Sequence, residues 1–292
     1  MAFEFAEVGI ALESERRCGA PGESCHADWL GRDCIAMWKA IYDSVQGTSH
    51  SSGDSPCQDA CRVVIWPDET RDTICIVCAD GAGSASHSDI GSALACDTLL
   101  QFLRSELDQR GNVAAFTDEV IHDAYRAADA RIAAEAEVLE VKKRELACTL
   151  LLAIVDANSA LFAQIGDGAM VVRGEEAFTA IFWPQSGEYV NTTNFLTSEK
   201  FLDCVEIARM DKPPADIAVF TDGLERLVLR FAEKTVHEPF LRPLFERLRA
   251  TEDLDSLFPL LRSFLDSKAI NDRTDDDKTL ILASCFPQSP AQ

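Results

Sequence analysis

The 292-residue chain is expected to fold as α+β around antiparallel sheet. Two observations carry this. Strand-like and helix-like stretches come in blocks rather than in strict alternation, which disfavours a doubly wound parallel sheet. The apolar period also changes near residue 147: three- and four-residue intervals give way to short apolar runs broken by "ANS", "GDG" and "GEE". No internal repeat or long linker is visible, so one domain is expected.

Taken in order, residues 1 to 35 read as irregular, with "CGAPGESCHADWLGRDC" at 18–34. Residues 45–58 form a loop by composition, rich in Ser, Gly, Asp and Pro. "ACRVVIWPD" and "DTICIVCAD" read as two short strands joined by the polar turn "PDETRD". Residues 89–108 and 117–140 are two helices, with helix-forming Ala, Leu, Glu and Arg throughout. "ACTLLLAIVD", "ALFAQIGDG", "AMVVRG" and "AFTAIFW" then describe an antiparallel meander. "CVEIARM" and "DIAVFTDG" are further strands, helical patterns cover 223–232, 237–250 and 253–267, and "KTLILASCF" is a closing strand.

Asp and Glu outnumber Lys and Arg by 49 to 27, a formal charge of −22. That field repels nucleic acid and anionic membrane, so neither is expected as a partner. It welcomes metal cations. The start of the chain shows no secretory pattern, and apolar runs such as "LLLAIV" are far too short to span a bilayer. The eleven cysteines are odd in number and irregularly spaced, so reduced thiols in the cytoplasm are expected. Cys75 and Cys78 form a C-x-x-C inside a strand, where residues three apart face opposite ways, so they are read as separate core thiols.

The chemistry lies at strand ends. "IVCADGAG" ends in Asp80-Gly81, "IAVFTDGLE" in Asp222-Gly223, and "FAQIGDGA" sets Asp167 between glycines. "RTDDDKTLILAS" places Asp275, Asp276 and Asp277 just before a strand. One Asp-Gly is an ordinary turn, but strands of one sheet can bring several such ends together. Converging carboxylates repel and raise one another's pKa, and a divalent cation removes the repulsion. Hard oxygen ligands without His or Cys favour magnesium or manganese. Two such ions about 4 Å apart stabilise in-line attack on phosphorus, which points to phosphoester hydrolysis.

The ordered series "PCQDA", "CADGAGSASHSDIGSALA", "GDGAMVVR", "FTDGLERL" and "DDDKTLILAS" resembles the metal-dependent serine/threonine protein phosphatases (PPM family, type 2C). The "GTSH…PCQDA" start and "GEYVNTTNFLTS" at 187–198 are similar to a divergent bacterial branch; the resemblance spans roughly 45–285. It implies a central antiparallel β-sandwich flanked by helices on both faces, in four αββα layers. The implied organisation is an extension or start of the domain over 1–40, the phosphatase-like domain over 41–286 and a tail over 287–292. The implied activity is hydrolysis of phosphoserine and phosphothreonine in proteins by a metal-activated water, using two Mn2+ or Mg2+ ions. The substrate would be a phosphorylated protein, with a cognate Ser/Thr kinase. Asp80 would bridge both ions, the Gly81 carbonyl would bind one, and Asp222 and Asp276 would complete the other. Asp59 would hold metal-bound water, making Asp59, Asp80 and Asp222 the catalytic set, and Asp167 matches a position tied to a weaker third ion.

Four departures matter. Many relatives grip phosphate with an Arg where this chain has Asp54, which leaves Arg62, Arg226 and His50 as candidate substrate cations. Gln58 replaces a Glu found in some relatives, and Ala82 stands where others place a general-acid His. Arg226 sits where relatives offer a carboxylate to the third ion, so that ion is left open and an Arg226–Asp167 pair is expected in its place. The missing phosphate Arg keeps an alternative in view, a catalytically weak regulatory or binding relative. A small-molecule phosphohydrolase on the same scaffold is a further one.

Overall fold

Two five-stranded antiparallel sheets pack face to face. The first runs, edge to edge, β1 (Ala36–Val45), β12 (Lys278–Pro287), β9 (Asp216–Phe220), β6 (Ala169–Arg173) and β7 (Phe178–Ala180). The second runs β2 (Ala60–Trp66), β3 (Thr73–Ala79), β4 (Leu150–Val155), β5 (Ala160–Ile165) and β8 (Glu206–Met210). The computed structural model describes residues 36–49, 56–67, 72–174, 177–185 and 193–287.

Helices α1 (Ser88–Arg110) and α2 (Asp118–Val138) cover the second sheet. Helices α3 (Glu225–Val228), α4 (Glu238–Ala250), α5 (Leu257–Leu265) and α6 (Lys268–Asn271) cover the first. The apolar core accordingly divides into three slabs. Leu99, Ile121, Tyr125 and Leu152 lie between α1, α2 and the second sheet. Phe220, Phe240, Phe245 and Leu282 lie under the other helices, and Ile76, Phe162, Val219 and Ile281 lie between the sheets. A strand covered on both faces reads as a continuous apolar run, which is why every residue of β3, β4, β5 and β9 is buried. The expected four-layer α+β architecture is the one observed. Cys75 and Cys78 do face different slabs, the helical one and the inter-sheet one.

One strand is not predicted by the sequence, and two expectations change. Residues 36–45 form β1, which pairs with β12 along its whole length, from Ala36↔Pro287 to Val45↔Lys278. The meander is broken, because β5 pairs with β4 and β8 in one sheet whereas β6 pairs with β7 and β9 in the other. The chain changes sheets at "GDG". Gly166 adopts φ +112°, and a Cβ there would lie 2.4 Å from the Thr149 methyl, so only glycine makes the crossing. The helix over 223–232 stops at Val228. Leu229–Arg230 then pairs with Thr235–Val236 as a two-residue hairpin, β10 and β11, whose turn holds Lys234 at φ +49°.

Candidate metal centre

The crossing between sheets brings acids together. Asp80 follows β3, Asp167 links β5 to β6, and Asp222 follows β9. One carboxylate oxygen of each lies within 4.8 Å of the others. The three come from both sheets, not from the ends of one.

Backbone contacts fix Asp80. Its N–H donates to Thr149 Oγ1 at 2.9 Å, and its carbonyl accepts from Thr149 N at 2.8 Å. Gly81 bridges to Cys148 and packs so tightly that a Cβ would meet the Gln58 carbonyl at 2.6 Å. Asp167 accepts a hydrogen bond from Thr193 Oγ1 at 2.5 Å. Asp59, 8% exposed, accepts from Thr221 Oγ1 at 2.8 Å and Thr279 Oγ1 at 2.7 Å on one oxygen. Its other oxygen, like Asp222 Oδ1, is buried with no hydrogen-bond partner among the described residues.

The electrostatics are those of unpaired acids. Burial, then the charges of Asp59 and Asp222, push Asp80 well above the usual carboxylate range. Burial pushes Asp59 up to about 8 against the pull of its two threonines, and Asp222 up to about 6. Asp167 is raised too, mainly by burial. A structural carboxylate in the same fold looks different. Asp216, at the far end of β9 and fully buried, is met by Arg173 Nε at 2.7 Å, by Arg249 and by Ser284. No Lys or Arg is paired with Asp80, Asp167 or Asp222 among the described residues. Buried charges persist only when paired, so this centre fits a divalent cation held by oxygen.

The other expected residues fall as follows. Asp276 is exposed and outside the 4.8 Å group, although its charge reaches Asp167 and Asp222. Asp59 is also outside the group, but its charge raises Asp80. Arg62 is tied to Asp97 at 2.7 Å, and it lines a cavity of about 430 Å³ shared with Asp59. The Arg226–Asp167 pair is not formed. Arg226 is 86% exposed and sits 3.6 Å from Glu225, because the first turn of α3 points it outward while Asp167 is held by Thr193. His50 and Asp54 lie outside the described residues.

Two residues gain roles that the sequence does not assign. Glu225 faces the centre: burial and the charges of Asp222 and Asp167 push it up to about 7. It lies one residue from the position where a carboxylate was sought. Asp277, 3% exposed, accepts from Gly47 N and Gln58 N, each at 2.6 Å, and so ties the segment after β1 to the one carrying Asp59.

The chain matches known proteins over most of its length. A family model described as protein phosphatase 2C matches residues 46–265. The chain is 38% identical over 249 residues to serine/threonine-protein phosphatase 3 of Escherichia coli (strain K12), covering 84% of this chain and 98% of that protein. Among solved structures it is similar to PppA, a key regulatory component of T6SS in Pseudomonas aeruginosa, with a TM-score of 0.57 at 18% identity over 87% of this chain and all of that one. It is also similar to the catalytic domain of the serine threonine protein phosphatase PstP in complex with 2 manganese ions, with a TM-score of 0.54 at 15% identity over 86% and 100% of the two chains. With its strand-end carboxylates, its two facing sheets and a family match over most of its length, this chain belongs to the protein phosphatase 2C family.

Proposed function

We infer that the chain is a metal-dependent protein serine/threonine phosphatase. The observation that carries this is the convergence of Asp80, Asp167 and Asp222, all raised and none paired with a cation among the described residues, beside an Asp59 oxygen that has no partner among them. We assign two Mn2+ or Mg2+ ions to Asp80, the Gly81 carbonyl, Asp222 and Asp276, with Asp167 and Glu225 the acids nearest any third. Bound there, divalent ions supply charge for the phosphoryl oxygens and lower the pKa of water. The chain's own groups do the rest. Thr221 and Thr279 hold Asp59 Oδ2, so Oδ1 stays free to accept a proton from the attacking water. Asp277 keeps that carboxylate in place through the Gln58 amide.

The substrate is a phosphorylated protein, supplied by a cognate Ser/Thr kinase, and the reduced thiols among the described residues support a cytoplasmic setting. No described helix is long and apolar enough to cross a membrane. Arg62, His50 and the exposed Arg226 are the cations assigned to the substrate phosphate. The tie between Arg62 and Asp97 favours one second reading, a weak enzyme that regulates by binding. Titrating Mn2+ against hydrolysis of phosphoserine and phosphothreonine peptides separates the two. The expected result is saturable, metal-dependent turnover that chelator abolishes. Turnover that survives chelation, or none at saturating Mn2+, would overturn the phosphatase reading.

A further inference from the structure

Cys61 on β2 and Cys78 on β3 are direct partners in the antiparallel register. Both pack into the slab between the sheets, so their side chains lie on one face. Directly opposed residues place their Cβ atoms about 4.5–5.5 Å apart, and a disulfide needs about 3.5–4.5 Å. A shift of roughly an ångström closes that gap. Cys78 is fully buried, but Cys61 is half-buried and lines the 430 Å³ cavity that also holds Asp59. A small oxidant therefore has a route to one sulfur of the pair. Because burial pushes the Cys61 thiol up to about 11, the reaction is slow at neutral pH and calls for excess peroxide.

The position gives such a bond consequences. Cys61 is two residues beyond Asp59, and Cys78 is two residues before Asp80. Ser44 Oγ lies 3.6 Å from Cys61 Sγ and 2.7 Å from Thr279 Oγ1, and Thr279 in turn holds Asp59. Drawing β2 and β3 together at this pair moves the bases of two carboxylates and the hydroxyl relay behind one of them.

We propose that Cys61 and Cys78 form a peroxide-responsive disulfide that lowers the activity of the adjacent centre. A hydroperoxide oxidises the Cys61 thiol to a sulfenic acid, and for hydrogen peroxide the first water leaves. The Cys78 sulfur then attacks the Cys61 sulfur, the S–S bond forms, and the sulfenic oxygen leaves as the second water. The two thiols give up two protons and two electrons, and the peroxide accepts both. A cellular thiol reverses the step by exchange.

The effect on activity rests on the phosphatase reading, but the linkage does not. The full chain, loaded with Mn2+, is treated with hydrogen peroxide, alkylated, digested without reductant and analysed by mass spectrometry, with phosphopeptide turnover measured in parallel. The expected result is a Cys61–Cys78 linked peptide and a fall in turnover of about tenfold, the size expected when support behind metal ligands is disturbed. Dithiothreitol restores both. Cys61→Ala keeps its basal turnover, forms no link and resists peroxide. Cys61 found linked to Cys96, Cys61 over-oxidised with Cys78 free, a link that leaves turnover unchanged, or inhibition that persists in Cys61→Ala would each overturn the proposal. A link formed in a protein with no turnover before oxidation would count against the phosphatase reading instead.

Discussion

Asp80→Asn is expected to lower kcat/KM on phosphopeptides by on the order of a thousandfold, since a catalytic cation contributes several kcal/mol and about 1.4 kcal/mol is a factor of ten. The substitution is nearly isosteric. It keeps both backbone hydrogen bonds to Thr149, so β3 and β4 stay in register. It also replaces an acid whose ionised form burial and the charges of Asp59 and Asp222 disfavour. The metal-free variant is therefore expected to melt no lower than the metal-free wild type, while calorimetry shows Mn2+ binding lost. That combination separates loss of a ligand from loss of the fold. Full activity in Asp80→Asn would refute the assignment.

Thermal unfolding should show the second large effect, a metal dependence that grows with pH. In the folded, metal-free chain Asp59 is raised to about 8, Asp222 to about 6, and Asp80 also lies well above its usual range, each chiefly by burial. A carboxyl group raised in the folded state binds its proton more tightly there than when unfolded, so folding is favoured while it stays protonated. That contribution is complete below the unfolded value of about 4. It is lost as pH rises through the folded values of about 6 for Asp222 and about 8 for Asp59. Metal-free protein is thus expected to melt at a falling temperature between about pH 5 and pH 8. A divalent cation takes the place of those protons. At a hundred times its dissociation constant it adds about 2.7 kcal/mol, roughly 4–5 °C for a chain of this size. Scanning calorimetry at pH 5 and pH 8, with and without Mn2+, checks both statements. A Mn2+ shift larger at pH 5 than at pH 8 would contradict them.

The parts of this molecule legible in the sequence are those where one residue type has one physical reason. An apolar strand that runs into Asp-Gly has no packing use for the acid, and Asp80, Asp167 and Asp222 were found that way. Strand β1 was harder, because "AMWKAIYDSV" mixes Lys39 and Asp43 into its apolar positions. Both find partners far away in sequence: Lys39 donates to the Thr251 carbonyl, and Asp43 accepts from Arg262. The split of the meander was hidden for a related reason. β4, β5 and β6 have the same apolar character, and only the Gly166 backbone shows that the chain changes sheets. Asp277 and Asp276 are neighbours of one type, yet one is buried against two backbone amides and the other is exposed. Sequence does not separate them, because the difference lies in what Gly47 and Gln58 bring to the site.

The central claim is that the carboxylates at the strand ends hold the cations on which hydrolysis depends. Anomalous scattering from crystals of the active protein grown in manganese tests it most directly. The expected map has manganese peaks bounded by Asp80, the Gly81 carbonyl and Asp222, with Asp276 turned inward onto one of them. Active protein whose manganese lies elsewhere, with Asp80 and Asp222 making no metal contact, would contradict the claim.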